Sequence, residues 1–451
     1  MVSDSKKHIA VVGSGAAGLA AAWLLSQRHR VTLLEKDDRL GGHAHTATVP
    51  GGSAGAAAMA VDTGFIVYNE PSYPNLTRWF EALQVDTEAS DMSFAVSRDD
   101  GNFEYAGGPP LGLLAQPGLL LKPRYWRMLR DLLRFYREAP EQIPTDGNMT
   151  LGEYLTANRY SREFIEDHLL PFGAAIWSTP KQQMLEYPAA SFIRFCKNHG
   201  LLQVSNRPQW RTVTGGSQSY VSAVAESIGH DSIMTGFDVQ GIERGVDGIS
   251  VYSADGRSID ADELVLATHA DQALASLDDP SAQETSLLSP FRYELNQAYL
   301  HTDISYLPRR KRAWCSWNYV EQGPGESQQV SLSYWMNRLQ NLQGDTQYVV
   351  TLNPDRAPDE ACVLRSQQYE HPVFNAQTWQ AQQALWSLQG QNRTWYCGSY
   401  FGSGFHEDAV QSGLAVAEQL GGVQRPWQLD NPSSRIVVPG NSEARSGRVA
   451  A

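Results

Sequence analysis

The chain is poor in cysteine, in long apolar runs and in positive charge, and each shortage removes a class of protein. Its 451 residues hold four cysteines, Cys196, Cys315, Cys362 and Cys397, far apart and never as C-x-x-C. Neither a zinc ribbon nor a dithiol redox pair is signalled, no metal site is expected, and such sparse use fits a reducing compartment. No uninterrupted apolar run reaches the ~18 residues of a membrane-crossing helix. The opening MVSDSKK lacks the apolar core of a signal peptide. The expectation is a cytoplasmic protein. A net charge of −13 argues against nucleic acid as a partner, because phosphate binding needs a positive surface. The length suggests two or three domains around a sizeable core.

What the chain does carry begins at residue 8. His8–Val12 is a short apolar, partly β-branched run, and Gly13, Gly15 and Gly18 follow as G-x-G-x-x-G. Ala16 to Gln27 is rich in Ala and Leu without proline, which predicts a helix. Val31–Leu34 is a second apolar run ending at Glu35 and Lys36. Gly13 permits the tight turn, Gly15 admits a pyrophosphate against the backbone, and Gly18 lets helix and strand pack closely. The helix N-terminus, with Ser14, Ala16 and Ala17, then offers free N–H groups and a positive dipole to phosphates. Glu35, 22 residues after Gly13, is placed to bond a ribose 2′-hydroxyl. That favours FAD or NAD over NADP. The alternative is a βαβ unit with a glycine-rich turn and no ligand.

Further on, Arg39-Leu40-Gly41-Gly42-His43 forms a loop expected to return over the cofactor. Lys122 to Arg137 holds six basic residues and one acid, Asp131, unusual in an acidic chain. Arg127, Arg130, Arg134 and Arg137 are spaced three, four and three apart and share one helix face. With the apolar PPLGLLAQPGLLL before it, the stretch 109–137 suits peripheral contact with an anionic membrane. An ordinary surface helix with paired arginines is the alternative. From Tyr293 to Leu352, strand-like segments alternate with aromatic clusters: Trp314, Trp317 and Tyr319, then Tyr334 and Trp335. These suit either a core or a pocket wall. Near the end, a strand leads to Gly398, a glycine-rich loop, and a predicted helix from Ala409 preceded by Glu407 and Asp408. Two acids at a helix start are also what the helix dipole alone favours. Beyond Gly422 the polar composition predicts a disordered tail, 423–451.

The turn at Gly13, the R-L-G-G-H loop and the C-terminal glycine–helix segment together resemble the flavin-containing amine oxidoreductase superfamily. That superfamily includes amine oxidases, phytoene desaturase-like enzymes and a fatty acid isomerase. The resemblance implies an α/β fold: a Rossmann-like FAD-binding domain with an inserted mixed-sheet substrate domain and a helical cap. The implied division is 1–70 with 206–280 and 390–422 for FAD, 71–205 for the cap, and 281–389 for substrate. It also implies FAD contacts at Arg39, Gly42, Val239, Gly398, Glu407, Asp408, Ala409 and Val410. His43 stands where the superfamily pattern ends in arginine, so it either contacts the flavin, carries a covalent link to it, or belongs to a polar loop nearby. No second complete G-x-G-x-x-G follows a strand, which argues against a separate NAD domain of the disulfide-reductase kind.

A flavin supplies the difficult chemistry, and the protein orients substrate and excludes water. Many amine oxidases of the superfamily use a lysine near the flavin, and none lies between Tyr293 and Tyr306, where it is expected. That segment holds His301 and Asp303 instead, candidates for base and orienting acid, with Tyr334 as a further candidate. A core histidine satisfied by its neighbours is the alternative. The combination GGHAHT, YLHTD, SWNY, YWMN and GFHEDAV is similar to one bacterial branch whose members are found beside cyclopropane or methyl-branched fatty acid synthases. That similarity implies oxidation of an acyl chain, with a lipid-modifying enzyme as partner, and the basic stretch 109–137 separately suits a lipid substrate drawn from the inner membrane surface. The alternatives are an amine oxidase, a redox-neutral fatty acid isomerase, and a non-catalytic FAD-bound partner of a lipid-modifying enzyme.

Overall fold

The computed structural model describes residues 6–51, 58–107, 110–144, 149–177, 181–323 and 329–439. Its centre is a parallel sheet of five strands: β1 (His8–Val12), β2 (Arg30–Leu34), β3 (Ile233–Met234), β4 (Glu263–Leu266) and β5 (Thr394–Tyr396). Their spatial order is β3-β2-β1-β4-β5. Val11 pairs with Leu33 on one side and Val265 on the other. Strands covered on both faces need apolar residues throughout, and the inner positions of β1, β2 and β4 are buried.

Helix α1 (Ala16–Ser26) runs from the glycine turn, and every residue from Ala16 to Leu25 is buried. A helix apolar all round needs cover all round. The sheet supplies one side and the C-terminal helix α3 (His406–Gly421) the other. A Cβ on Gly413 would stand 2.2 Å from the Ala17 carbonyl oxygen, so glycine there is what allows the approach.

The second layer is a seven-stranded mixed sheet. Its order is Val363–Val373, Arg292–His301, Val349–Leu352, Gln329–Trp335, Trp317–Gln322, Phe94–Arg98 and Phe103–Gly107. Two of these strands, Phe94–Arg98 and Phe103–Gly107, come from the segment expected to form a helical cap. Phe94–Arg98 joins Trp317–Gln322 in parallel, so residues 71–205 are not wholly helical. The rest of that segment is mainly helical and includes the long helix α2 (Pro123–Glu138).

The tail expectation is corrected for residues 423–439. Trp427 stacks on Trp23 with centroids 5.9 Å apart. The guanidinium of Arg425 donates to Glu418 at 2.7 Å and to Asn75 Oδ1 at 2.7 Å. Arg435 donates to the Ser72 carbonyl and lies over the Tyr73 ring, and Ile436 is buried. A mostly polar segment is ordered here because its few apolar groups and its arginines find buried partners. Residues 440–451 of the expected tail, and residue 109 of the basic stretch, lie outside the described residues.

Candidate flavin site

The site lies at the carboxyl ends of the parallel strands, where open α/β sheets bind ligands. Gly13 takes φ +97°, and its N–H donates to the Leu34 carbonyl at 2.8 Å. A Cβ on Gly18 would lie 1.8 Å from the Gly13 carbonyl oxygen. Gly15 differs from both: a Cβ there meets no heavy atom within 4 Å. Steric need therefore explains glycine at 13 and 18, but not at 15. Gly15 caps α1, and the space beside it faces that helix's unpaired N–H groups at Ala16 and Ala17. A pyrophosphate fits this turn by both shape and charge.

Glu35 is buried beside the turn. One carboxylate oxygen accepts from Ser14 N at 2.9 Å and Ser14 Oγ at 2.5 Å, the other from Asp37 N at 3.0 Å. Ser14 thus positions the acid expected to meet a ribose. Lys36 is exposed next to it. The strand Val239–Arg244 starts close by, since Phe237 N donates to the Glu35 carbonyl at 2.8 Å, which brings Val239 to the ribose end. The R-L-G-G-H loop docks on the turn: Gly41 N donates to the Ser14 carbonyl at 3.1 Å, and Arg39 to the Gly42 carbonyl at 2.9 Å.

At the C-terminal motif, the side chains of Glu407 and Asp408 serve the protein. Glu407 accepts from Asn75, Leu76 N and Gln411. Asp408 caps α3 by accepting from Phe405 N at 2.8 Å and Ser403 N at 3.0 Å. Burial raises both carboxyl pKa values. What α3 offers a cofactor is its positive end and the backbone around Ala409 and Val410. Gly398 N is held by Ser412 Oγ at 2.9 Å.

The fold also gathers four histidines that sequence reasoning did not join. His43 lies 5.4 Å from His371 and 5.1 Å from Tyr369, between ring centroids. His269 stacks on Tyr293 at 4.1 Å, and its Nδ1 stands 3.3 Å from the Glu370 carboxylate. His406 stacks on Phe65 at 3.8 Å and shares a 3.2 Å hydrogen bond with Tyr220. His43 Nε2 is buried and has no hydrogen-bond partner, so a polar group of a flavin would satisfy it. Burial, followed by the nearby His371, His269 and His406, holds the His43 pKa well below the usual imidazole value. Burial also brings His371 down to about 4 and His406 to about 3. These rings are neutral at pH 7. Among the described residues, no group of His, Cys, Asp and Glu could hold a metal ion. His269, three residues past β4, could have been flagged by its place at the end of a buried parallel strand. His371 had no such signal.

Two expected catalytic residues are corrected. The His301 ring is fully buried in the seven-stranded sheet. Its Nδ1 accepts from Asp303 N at 3.1 Å, and its Nε2 bonds Thr351 Oγ1 at 2.7 Å. With Nδ1 accepting, Nε2 carries the proton, and no lone pair is left for a base. Asp303 lies past the strand and accepts from Ser305 N. Neither residue is brought to the histidine cluster. Tyr334 sits between sheet and cap, edge-on to Trp317 at 4.8 Å, with its hydroxyl 3.5 Å from the Ala175 carbonyl. Phe94 and Phe172 meet at the same boundary, 5.7 Å apart.

This is the architecture of an FAD-dependent oxidoreductase. The model of the flavin containing amine oxidoreductase family matches residues 16–303, more than half of the chain, and the chain belongs to that family. It is 25% identical over 296 residues to an L-amino-acid oxidase of Siganus canaliculatus, a match covering 62% of this chain and 53% of that one. The chain thus spans about half the length of that relative. A shorter match, 53% identical over 45 residues, joins it to an L-amino-acid oxidase of Bungarus fasciatus, covering 10% of this chain and 9% of the relative. Among solved structures, the fatty acid isomerase of P. acnes that produces CLA aligns with TM-score 0.65 and 18% identity, over 93% of this chain and 99% of the other. Cyclohexylamine oxidase from Brevibacterium oxydans aligns equally well, with TM-score 0.65, 15% identity, and coverage of 92% and 100%. At such identities the likeness concerns the fold alone.

Proposed function

We propose that the protein oxidises an apolar substrate, an acyl chain, by removing a hydride and a proton to leave a C=C bond. FAD, when bound, supplies the hydride acceptor. The observation that carries the acyl reading is the pairing of an aromatic sheet–cap boundary with neutral imidazoles and no lysine in the expected segment. An apolar chain needs a wall such as Phe94, Phe172, Trp317 and Tyr334 provide. The departing proton needs a neutral base near the reacting carbon. His371 and the Glu370-paired His269 are the groups we assign to take and hold it, with His43 bonding the flavin. The similarity to the branch found beside fatty acid synthases supports the same substrate, supplied from a membrane by the face at 110–137 and shared with a lipid-modifying enzyme. A redox-neutral isomerase is the second reading, favoured by the fold shared with a fatty acid isomerase.

The test is the anaerobic visible spectrum of the purified holoprotein, before and after adding detergent-dispersed unsaturated or methyl-branched acyl lipid. Bleaching of the flavin, with a product two mass units lighter, is expected. An oxidised spectrum with lipid but bleaching with amines overturns the acyl reading. Substrate converted without loss of mass, and with the flavin oxidised at the end, establishes the isomerase instead.

A further inference from the structure

The surface at 114–137 resting on that lipid reading has a detailed form. The described chain exposes twelve large hydrophobic side chains, and five of them, Leu114, Leu120, Leu121, Trp126 and Leu133, fall within these few residues. Scattered exposed leucines need no explanation, but a cluster does. The turn Pro117–Leu121 and the start of α2 form a projecting corner. Leu121 is 87% exposed and Trp126 54%. The Trp126 indole N–H donates to the Leu120 carbonyl at 2.8 Å, which ties the ring to the leucine corner. On α2 the exposed positions are Pro123, Trp126, Arg127, Arg130, Leu133 and Arg137, so apolar and cationic groups share one face. The opposite face, Tyr125, Met128 and Phe135, is buried in the protein.

Charge also marks this surface. From 114 to 137 the one acid is Asp131, and it is buried beneath the arginines. Lys122 is exposed, and the Arg130 and Arg137 side chains are 67% and 76% exposed. Much of the expected basic face is paired within the protein: Arg127 with Glu163, Arg124 with Asp167, Arg130 with Asp131 and Arg137 with Glu138, while Arg134 lies over the Tyr160 ring. Arg130 and Arg137 stay largely exposed despite these pairs, and across 122–138 six basic residues face two acids, Asp131 and Glu138, on a chain of net charge −13.

We infer that this corner docks the protein on an anionic phospholipid bilayer, with Leu120, Leu121 and Trp126 entering the interface and Lys122, Arg130 and Arg137 facing the headgroups. An amphipathic ring tied at its polar edge suits the depth between headgroup and acyl chain. Basic side chains beside it add attraction that salt weakens. Among the described residues no helix is long and apolar enough to cross a membrane, so the contact is peripheral and reversible.

Co-sedimentation of the full-length holoprotein with vesicles tests this. Phosphatidylcholine vesicles containing phosphatidylglycerol should pellet the protein, and phosphatidylcholine alone should not. Leu121→Asp, at a fully exposed position, should weaken binding at least ~10-fold. R130Q/R137Q should weaken it less and flatten its salt dependence. No pelleting, pelleting with neutral vesicles alike, or pelleting unchanged by Leu121→Asp overturns the proposal. So does a dimer in sedimentation velocity without lipid that Leu121→Asp dissolves, because the corner then serves a second copy of the chain. The substrate reading fails separately: vesicle binding without bleaching by dispersed acyl lipid sinks the chemistry and leaves the docking intact, and the converse result does the opposite.

Discussion

Gly15 and Gly18 look alike in the motif and differ in what their hydrogens protect. A Cβ at 18 collides with the Gly13 carbonyl oxygen, and one at 15 meets nothing. Gly18→Ala should therefore unfold or strongly destabilise the protein, by several times the ~1 kcal/mol that removing a glycine from a helix would ordinarily return. Gly15→Leu should leave the fold and the apoprotein melting temperature nearly unchanged but purify colourless. Stoichiometric flavin on Gly15→Leu would contradict the phosphate turn. The same contrast applies to the histidines. His301 is buried and His43 half-buried, each in a strand or loop suggestive of chemistry. Only hydrogen bonding tells them apart: both nitrogens of His301 are used within the sheet, whereas Nε2 of His43 has no partner.

Glu407 shows how one element depends on another far away in the chain. Its carboxylate is bonded by Asn75 and Leu76 of the helix Pro74–Ala82, and Arg425 reaches Asn75 from beyond α3. The segment 423–439 is thus a clasp joining α3 to that helix. Truncation after Gly422 uncovers Trp23 and leaves Asn75 and Glu418 without their guanidinium. We expect a loss of about 3 kcal/mol or more, seen as a lower thermal midpoint and faster flavin release on dilution. Composition concealed this clasp, because hydropathy averages over a segment whereas packing depends on Trp427 and Ile436 individually. The strand Phe94–Arg98 belongs to the seven-stranded sheet although it lies within the expected cap, because a parallel pairing with residues more than two hundred positions away leaves no local pattern.

Acid should destabilise the whole molecule. Burial lowers His45, His301 and His371 to about 4, and His168, His199 and His406 to about 3. Their folded values lie below the unfolded 6.5, so the unfolded chain takes up protons that the native protein refuses. Each contributes about 1.4 kcal/mol per pH unit, present in full above pH 6.5 and lost as pH falls toward 4. Asp62, raised by burial to about 6, works the other way over part of that range, as do Glu407 and Asp408. Six histidines outweigh three carboxyls. The thermal midpoint should fall steadily from pH 7 to pH 5; a midpoint that rises over that range would contradict neutral buried imidazoles.

The cofactor turn was readable from residues 8 to 36 because every group it needs is local: a strand, three glycines, a helix start and an acid at a set distance. The C-terminal helix and the aromatic strands were readable for the same reason, each having its own periodicity. The histidine cluster was decided only in three dimensions. His43, His269 and His406 follow different strands of one parallel sheet, and His371 comes from the edge of another sheet. Nothing in their spacing joins them; parallel pairing brings the ends of distant strands to one edge. Whether a histidine is spent on a neighbour or left with an unpartnered nitrogen is likewise settled by packing, since a hydrogen-bond partner can come from anywhere in the chain.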